Sequence, residues 1–292
     1  MIRNKDLDPK NNIYRKDFDG LRAIAIIAVI VNHFNKELLP FGYLGVDIFF
    51  VISGYVISSS IYRRENNNFL DFVTSFYARR LKRLIPALIF FIIIIGVLVA
   101  IFGRDNLNIS NTAISALFGF SNISLLLEST DYFGQSIELN PFAHTWSLGV
   151  EEQFYFLFPF IVWLSGFAQK NKNGEKYLFG IMLFLSVLSL SLFYYLFTSD
   201  IGILESAGYF LMPSRFWEIA TGCLVFIFSL KYNRSLVFLY RVPTLIFILL
   251  ILTILKLPYY VPSIATLLIV FFTSIVILSE RESTLSFRML TA

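Results

Sequence analysis

The sequence predicts an all-α fold, a polytopic bundle of transmembrane helices. Hydrophobic residues make up 57% of the 292 residues and charged residues only 15%. A water-soluble domain of this length has a large exposed shell, so it cannot bury so many apolar side chains. A lipid bilayer accepts them, which makes membrane lipid the first predicted partner. The Lys and Arg residues lie between the apolar runs rather than in one patch, and this distribution argues against nucleic-acid binding.

Eight apolar runs are long enough, or nearly so, to cross a hydrocarbon core, which needs about 20 helical residues. The seventh run is the shortest. The first contains Arg22, Asn32 and His33 and lacks a small-residue cleavage site, so it is predicted to be an uncleaved span rather than a signal peptide. The runs lie at 18–35, 41–61, 84–102, 145–166, 178–197, 213–230, 242–255 and 260–279.

The Lys and Arg residues predict the orientation, because cytoplasmic connections are enriched in them. Most lie before the first run and after the second, fourth, sixth and eighth runs. Both ends of this multi-pass protein are therefore predicted to be on the cytoplasmic side of the plasma (inner) membrane. Counting the half-apolar segment 111–127 as a span would place the lysines of 170–176 outside. The segment 103–144 is therefore predicted to be one long outer segment with an interfacial or re-entrant helix.

This topology divides the chain into three parts. A cytoplasmic tail, 1–17, precedes a transmembrane core, 18–279, which includes the outer segment 103–144. A cytoplasmic end follows at 280–292.

Two ionisable residues in the first span are candidates for function, since charged groups in a membrane are costly. Arg22 and His33 are eleven residues apart, about three helical turns, so they share a face about 16 Å apart along the axis. Arg22 is alternatively an anchor that extends to the interface, and His33 is alternatively a buried, hydrogen-bonded histidine. Because imidazole is a base near neutral pH, the sequence favours a functional role for His33.

A polar stripe enters the fourth span from the predicted outer side. His144, Ser147, Glu151 and Tyr155 recur at helical spacing, which places them on one face of a helix. Such a stripe is typical of a water-filled cavity. The alternative is a helix start with interfacial His144 and Trp146.

Further candidates lie near the predicted outer ends of spans two and six. Asp47 is an acid within span two, and Ser53 belongs either to a close helix contact or to a substrate site. Arg215 and Glu218 are spaced i, i+3, so they form either a structural ion pair or part of an acceptor site.

The cluster Arg79, Arg80, Lys82 and Arg83 precedes the third apolar run. Positive charge on the cytoplasmic side alone accounts for it, but Arg also binds phosphate oxygens in bidentate fashion. The chain has a single cysteine, Cys223, and contains no nucleotide-binding loop, nucleophile elbow or zinc motif. A metal is therefore not expected.

Together these stretches resemble the acyltransferase-3 family of integral membrane acyltransferases. The resemblance covers nearly the whole chain from about residue 14 onward. Its most specific motifs are the first and the fourth. The motifs are FDGLR at Phe18–Arg22 with His33, GVDIFFVISGY at Gly45–Tyr55, RLKR at Arg80–Arg83, HTWSLGVEEQFY at His144–Tyr155 and RFWE at Arg215–Glu218.

The family implies O-acylation. The expected donor is cytoplasmic acyl-CoA, usually acetyl-CoA, and the expected acceptor is a hydroxyl of an extracytoplasmic carbohydrate of the cell envelope. Arg22 and His33 match the family's essential Arg–His pair, and Arg80 and Arg83 match its Arg-x-x-Arg motif. Family members have about ten spans and continue after a position like Arg288 with another helical hairpin. The resemblance therefore implies that this chain, with about eight spans, stops before the last helices.

The expected mechanism places the coenzyme A phosphates on Arg79, Arg80 and Arg83. Arg22 stabilises the developing thiolate or a phosphate. His33 acts as general base or briefly carries the acyl group. Either Glu151 or Asp47 holds the imidazole in its tautomer, and the spacing does not choose between them. The residues expected at the acceptor are His144, Trp146, Ser147, Ser53, Arg215 and Glu218.

Two other classes of protein compete with this interpretation. A secondary transporter or proton-coupled exporter also uses intramembrane His, Glu and Arg. It predicts inverted repeats, which the sequence does not show, and gives the Arg cluster no ligand. An inert membrane scaffold does not require Arg22 and His33 on one face.

Overall fold

The computed structural model describes residues 15–64, 68–102, 107–130, 139–199, 201–232, 242–257, 262–279 and 285–291. Every regular element in these ranges is a helix, which confirms the all-α prediction. Most of the predicted tail 1–17 and parts of 103–144 and 280–292 lie outside the described residues.

The helices are named α1 to α12 in chain order, and short 3-10 turns at Gly42–Leu44 and Ala143–Thr145 precede α2 and α6. The helices are Lys16–Phe34 (α1), Gly45–Tyr62 (α2), Phe69–Phe102 (α3), Leu107–Leu117 (α4), Ser121–Thr130 (α5), Trp146–Leu164 (α6), Gly174–Thr198 (α7), Gly202–Phe210 (α8), Met212–Tyr232 (α9), Thr244–Lys256 (α10), Pro262–Ser279 (α11) and Leu285–Thr291 (α12).

Each of the eight predicted runs coincides with a helix, namely α1, α2, α3, α6, α7, α9, α10 and α11. The largest difference concerns α3, which begins at Phe69 rather than at 84 because Phe72 and Phe76 give its polar first turns a buried face. Its 34 residues extend about 51 Å, whereas a hydrocarbon core is about 30 Å thick. The helix is therefore longer than a hydrocarbon core, and its polar turns with Arg79 to Arg83 are predicted to lie outside the lipid.

Five helical segments of the described chain are long and apolar enough to cross a membrane: Gly42–Tyr62, Phe69–Phe102, Gly174–Thr198, Gly202–Lys231 and Pro262–Ser279. Helix α10 is apolar but has only 13 residues. Helices α1 and α6 contain the ionisable groups on which the functional interpretation depends, and these groups reduce their apolar character. The number of eight spans therefore stays a prediction.

The chain divides into two compact units. Unit 1 comprises Met1–Arg64 and Glu218–Ala292, and unit 2 comprises Glu65–Trp217, so the boundary falls within α9. In unit 1, the buried stripe of α1 (Phe18, Leu21, Ala25 and Ala28) follows helical spacing, and α1 packs on α2 and α12. Helix α2 also packs on α11, which pairs with α10.

In unit 2, α3 packs on α6, and its apolar residues from 89 onward are mostly exposed, as expected for a lipid-facing helix. Helices α4 and α5 form a hairpin that packs on α6, and α5 also contacts α8. The hairpin turns at Gly119, whose φ of 74° lies in the left-handed region that favours glycine. The single helix predicted in the outer segment is thus two helices of 11 and 10 residues, each too short to cross a bilayer.

Candidate active site

His33 lies in the last turn of α1, in unit 1. Its Nδ1 atom is 2.8 Å from the carbonyl oxygen of Val29, one turn earlier. A carbonyl oxygen only accepts hydrogen bonds, so Nδ1 carries the proton of the neutral ring. The lone pair is then on Nε2, and the side chain is exposed. His33 therefore presents a basic nitrogen, and the carbonyl of Val29, which sequence reasoning missed, sets its tautomer.

Arg22 lies on the same stripe of α1 as His33. Arg22, Ile26, Val29 and His33 are spaced i, i+4, i+7 and i+11, which is one face of a helix. The Nη1 atom of Arg22 is 3.3 Å from an Oδ1 atom of Asp19 in a partly exposed pair. Such exposed pairs contribute little to stability, so the guanidinium can exchange Asp19 for another anion.

The acidic candidates of unit 1 are buried. Asp47, in the first turn of α2, and Glu218, in α9, both have 0% exposure. A carboxylate without exposed surface cannot contact a glycan in this conformation, so the structure does not support the expected acceptor contact for Glu218. Asp47 belongs to the same unit as His33, but the carbonyl of Val29 already accepts from Nδ1, so the backbone takes the orienting role that was expected of Asp47 or Glu151.

Ser53 lies next to a close contact between α2 and α9. A methyl group at Gly54 would overlap the carbonyl of Ile219, and Cys223 donates its S–H to the carbonyl of Gly54 at 3.3 Å. The side chain of Ser53 itself is partly exposed. The structure therefore assigns the helix contact to Gly54 and leaves Ser53 as a candidate contact for substrate.

Arg15, one of the basic residues before the first apolar run, has a structural role. It pairs with the buried carboxylate of Asp17, donates to the carbonyl of Ile277 at 3.1 Å and lies 4.4 Å from the ring centroid of Phe18 and 5.7 Å from that of Tyr55. Burial alone would lower the pKa of Arg15, but Asp17 and Tyr55 raise it above its usual range. Arg15 therefore stays a cation that joins α1, α2 and α11.

The arginine cluster lies on α3, in unit 2. Arg79 and Arg80 are half-buried, whereas Lys82 and Arg83 are exposed. The guanidinium of Arg80 lies 4.8 Å from the ring centroid of Tyr155 on α6. The cluster thus combines exposed cations with one arginine held against a neighbouring helix, an arrangement suited to a polyanionic ligand.

The polar stripe of α6 faces α3. The hydroxyl of Tyr155 donates to the carboxylate of Glu151 at 3.2 Å, and the exposed ring of His144 contacts Phe91 edge-on at 4.9 Å. Because Arg80 meets Tyr155 and Phe91 meets His144, α3 and α6 run antiparallel. The stripe therefore extends from the arginine cluster to His144, with Ser147 partly exposed between them.

Arg215 is enclosed by aromatic rings within unit 2, and Trp146 supplies one of them. Arg215 is 2% exposed, and its guanidinium carbon lies 5.6 Å from the ring of Trp146, 5.3 Å from that of Tyr209 and 5.8 Å from that of Phe193. These rings belong to α6, α8 and α7, so Arg215 joins them to the start of α9. Arg215 and Trp146 (6% exposed) were expected to contact the acceptor, and their burial favours a structural role instead.

A partly buried polar network attaches the α4–α5 hairpin to α6. The amide of Gln153 donates to the carbonyl of Gly119 at 3.0 Å and to the side-chain oxygen of Asn122 at 2.7 Å. Asn122 in turn donates to the carbonyl of Phe210 at 3.0 Å. Sequence reasoning missed this network, although Gln153 lies inside the motif of residues 144–155 and was the available signal.

Metal ligation finds no support in the described part of the chain. No group of three or more His, Cys, Asp or Glu side chains there is arranged to hold a metal ion.

Known proteins with similar sequences carry the name O-acetyltransferase. The chain is 38% identical to the O-acetyltransferase OatA of Staphylococcus aureus (strain NCTC 8325 / PS 47) over 231 residues, which are 76% of this chain and 36% of that protein. The protein of the same name from strain COL gives the same values. A Staphylococcus aureus (strain MSSA476) protein with O-acetyltransferase in its name is 35% identical over 213 residues, 73% of this chain and 34% of that protein.

The chain therefore spans about a third of the length of the curated relatives that it matches. No solved structure matches it. A family model described as an acyltransferase domain matches residues 15–290, nearly the whole chain. The chain belongs to this acyltransferase family.

Proposed function

We propose that this protein is a membrane O-acetyltransferase that moves an acetyl group from acetyl-CoA to a hydroxyl group of an extracytoplasmic glycan. One observation carries the proposal: in a chain of an acyltransferase family, His33 directs Nδ1–H to the carbonyl of Val29 and keeps Nε2 as a base. An alcohol is a poor nucleophile until a base removes its proton.

The donor site is assigned to the arginine cluster of α3. Coenzyme A carries several phosphate groups, and guanidinium groups bind phosphate oxygens through paired, charge-assisted hydrogen bonds. Arg80 is half-buried, while Lys82 and Arg83 are exposed on the same helix. Arg79, on the preceding position, adds a further cation to this cluster. The predicted orientation places the cluster on the cytoplasmic side, where acyl-CoA is made.

The chemical step is assigned to His33. Nε2 takes the proton of the acceptor hydroxyl as its oxygen attacks the thioester carbonyl. The carbon–sulfur bond breaks, an oxygen ester forms, and the imidazolium returns the proton to the coenzyme A thiolate. Arg22, on the same stripe of α1, stabilises negative charge on the thiolate or a phosphate. On unit 2, the glycan contacts the exposed His144 and the partly exposed Ser147, while the α4–α5 hairpin shapes the acceptor side.

The proposal is tested with the detergent-purified protein. It is incubated with acetyl-CoA radiolabelled in the acetyl group and with a cell-wall or surface glycan. We expect the label to appear in the glycan as a base-labile ester and free coenzyme A to form in equal amount. We also expect acetyl-CoA to raise the melting temperature, whereas adenosine alone does not. Release of coenzyme A without labelled glycan would contradict the acceptor assignment, and the absence of both would contradict the activity.

A further inference from the structure

The guanidinium of Arg80 lies close to two aromatic rings. Its guanidinium carbon is 4.8 Å from the ring centroid of Tyr155 on α6 and 6.0 Å from that of Phe76 on its own helix. Both distances are within the range of cation–π attraction. Cation–π attraction acts on the charge of the guanidinium and needs none of its N–H donors. This arrangement fixes the position of the cation and leaves its hydrogen-bonding edge available.

Two other arginines of the chain are held differently. Arg15 is paired with Asp17, and Arg22 is paired with Asp19. A carboxylate neutralises an arginine and uses the same N–H edge that binds phosphate. Among the described residues, Arg80 has no ion pair and donates no hydrogen bond. Its charge and its donors are therefore available to an anionic ligand.

One hydrogen bond fixes the ring of Tyr155, and a second fixes the helix α6 that carries it. Its hydroxyl donates to the carboxylate of Glu151 one turn earlier on α6, at 3.2 Å. One turn before Arg80, the hydroxyl of Tyr77 donates to the carbonyl of Phe156 at 2.8 Å, which fixes α3 against α6 at this level. The ring thus has a defined position before any ligand binds, as preorganised recognition requires.

We propose that Tyr155 is a positioning residue for the phosphate groups of the donor: its ring holds Arg80 in the orientation that binds them. This inference rests on the proposed function, because it takes the donor to be a phosphorylated thioester such as acetyl-CoA. Tyr155 acts through Arg80 and does not touch the reacting atoms. The hydroxyl and Glu151 orient the ring, and the ring itself is the essential part.

Three substitutions in the 292-residue protein separate these contributions. Tyr155→Leu removes the ring, Tyr155→Phe keeps the ring without the hydroxyl, and Tyr77→Phe removes a hydroxyl from the same helix interface without touching Arg80. The dissociation constant of coenzyme A is measured for each protein by calorimetry or by ligand-dependent melting. We expect Tyr155→Leu to weaken binding about tenfold, as loss of a partly desolvated cation–π contact predicts. We expect Tyr155→Phe and Tyr77→Phe to stay within about twofold of the original protein.

A double-mutant cycle distinguishes positioning from a merely structural role. In a protein that already carries Arg80→Ala, Tyr155→Leu has no cation to position, so we expect no further loss of affinity. A rate of transfer measured at saturating donor should also be little changed by Tyr155→Leu, because the effect lies in donor binding.

Normal coenzyme A affinity in Tyr155→Leu, with weakened affinity in Arg80→Ala, would overturn the positioning role and leave the donor site intact. Equal losses in Tyr155→Leu and Tyr155→Phe would overturn the claim that the ring is essential. Unchanged affinity in the Arg80→Ala, Arg83→Ala double variant would overturn the donor site and the positioning role together.

Discussion

The Nδ1 atom of His33 lies 2.8 Å from the carbonyl oxygen of Val29, one helical turn earlier on α1. This bond is local, so it depends on the continuation of α1 to its last turn rather than on a distant partner. The side chain of Asn32 supports that turn by donating to the carbonyls of Leu39 at 2.8 Å and Pro40 at 3.1 Å. The base is thus oriented by the backbone at the end of a helix.

Substitution His33→Ala is expected to abolish transfer while coenzyme A binding is kept. General base catalysis contributes about 10²–10⁴ in rate, so glycan acetylation should fall at least about a hundredfold. The measurement is transfer of radiolabelled acetyl groups by purified protein, with the dissociation constant of coenzyme A measured on the same samples.

His144→Ala is the matched histidine substitution. His144 is exposed at the start of α6, where it contacts Phe91, so we expect a smaller loss that appears mainly in the apparent affinity for the acceptor. Normal transfer in His33→Ala with loss in His144→Ala would move the reaction centre to the start of α6. Normal transfer in both would favour a transporter.

Replacement of both Arg80 and Arg83 by Ala should weaken coenzyme A binding by about a hundredfold or more, since each charge-assisted hydrogen bond contributes about 1.5–3 kcal/mol. Lys170 and Lys172 are exposed on another predicted cytoplasmic connection, so their joint replacement by Ala is the control and should leave affinity unchanged. Equal affinity for coenzyme A in both double variants would show that the arginine cluster serves only to orient the chain in the membrane.

Labelling of single cysteines in intact cells tests the orientation. In a Cys223→Ala background, we expect Gly202→Cys to react with a membrane-impermeant maleimide from outside and Lys172→Cys to react only after lysis. Both positions are exposed, and they lie on either side of α7, which is long and apolar enough to cross the membrane. Labelling of position 172 from outside would reverse the predicted topology and remove the cytoplasmic donor site with it.

Gly54→Ala is expected to destabilise unit 1. The added methyl group would overlap the carbonyl of Ile219, a backbone atom that moves only with its helix, and such overpacking costs about 1–3 kcal/mol. Gly180→Ala is the control, because a methyl group there meets open space on helix α7. Melting in detergent should therefore shift to lower temperature for Gly54→Ala only. Equal melting temperatures for both variants would show that α2 and α9 separate readily at Gly54.

Much of the fold is predictable from the sequence because its elements are local. In a bilayer every backbone N–H and C=O group needs an internal partner, so a long apolar run forms a helix. All eight runs are helical for this reason. The extension of α3 back to Phe69 was not predictable in this way: its first turns are polar, and burial of Phe72 and Phe76 depends on packing within unit 2.

At the candidate site, residue spacing predicts that Arg22 and His33 share one face of α1 and that Ser147, Glu151 and Tyr155 share one face of α6, with His144 in the turn just before it. Helical geometry repeats every 3.6 residues, so spacing alone is sufficient. Helix packing, in contrast, is what encloses Arg215 in aromatic rings, attaches the α4–α5 hairpin to Gln153 and brings Arg80 against Tyr155. Each of these contacts joins residues far apart in the chain. Their approach depends on how whole helices pack against one another, and the spacing of residues along one helix does not determine that packing.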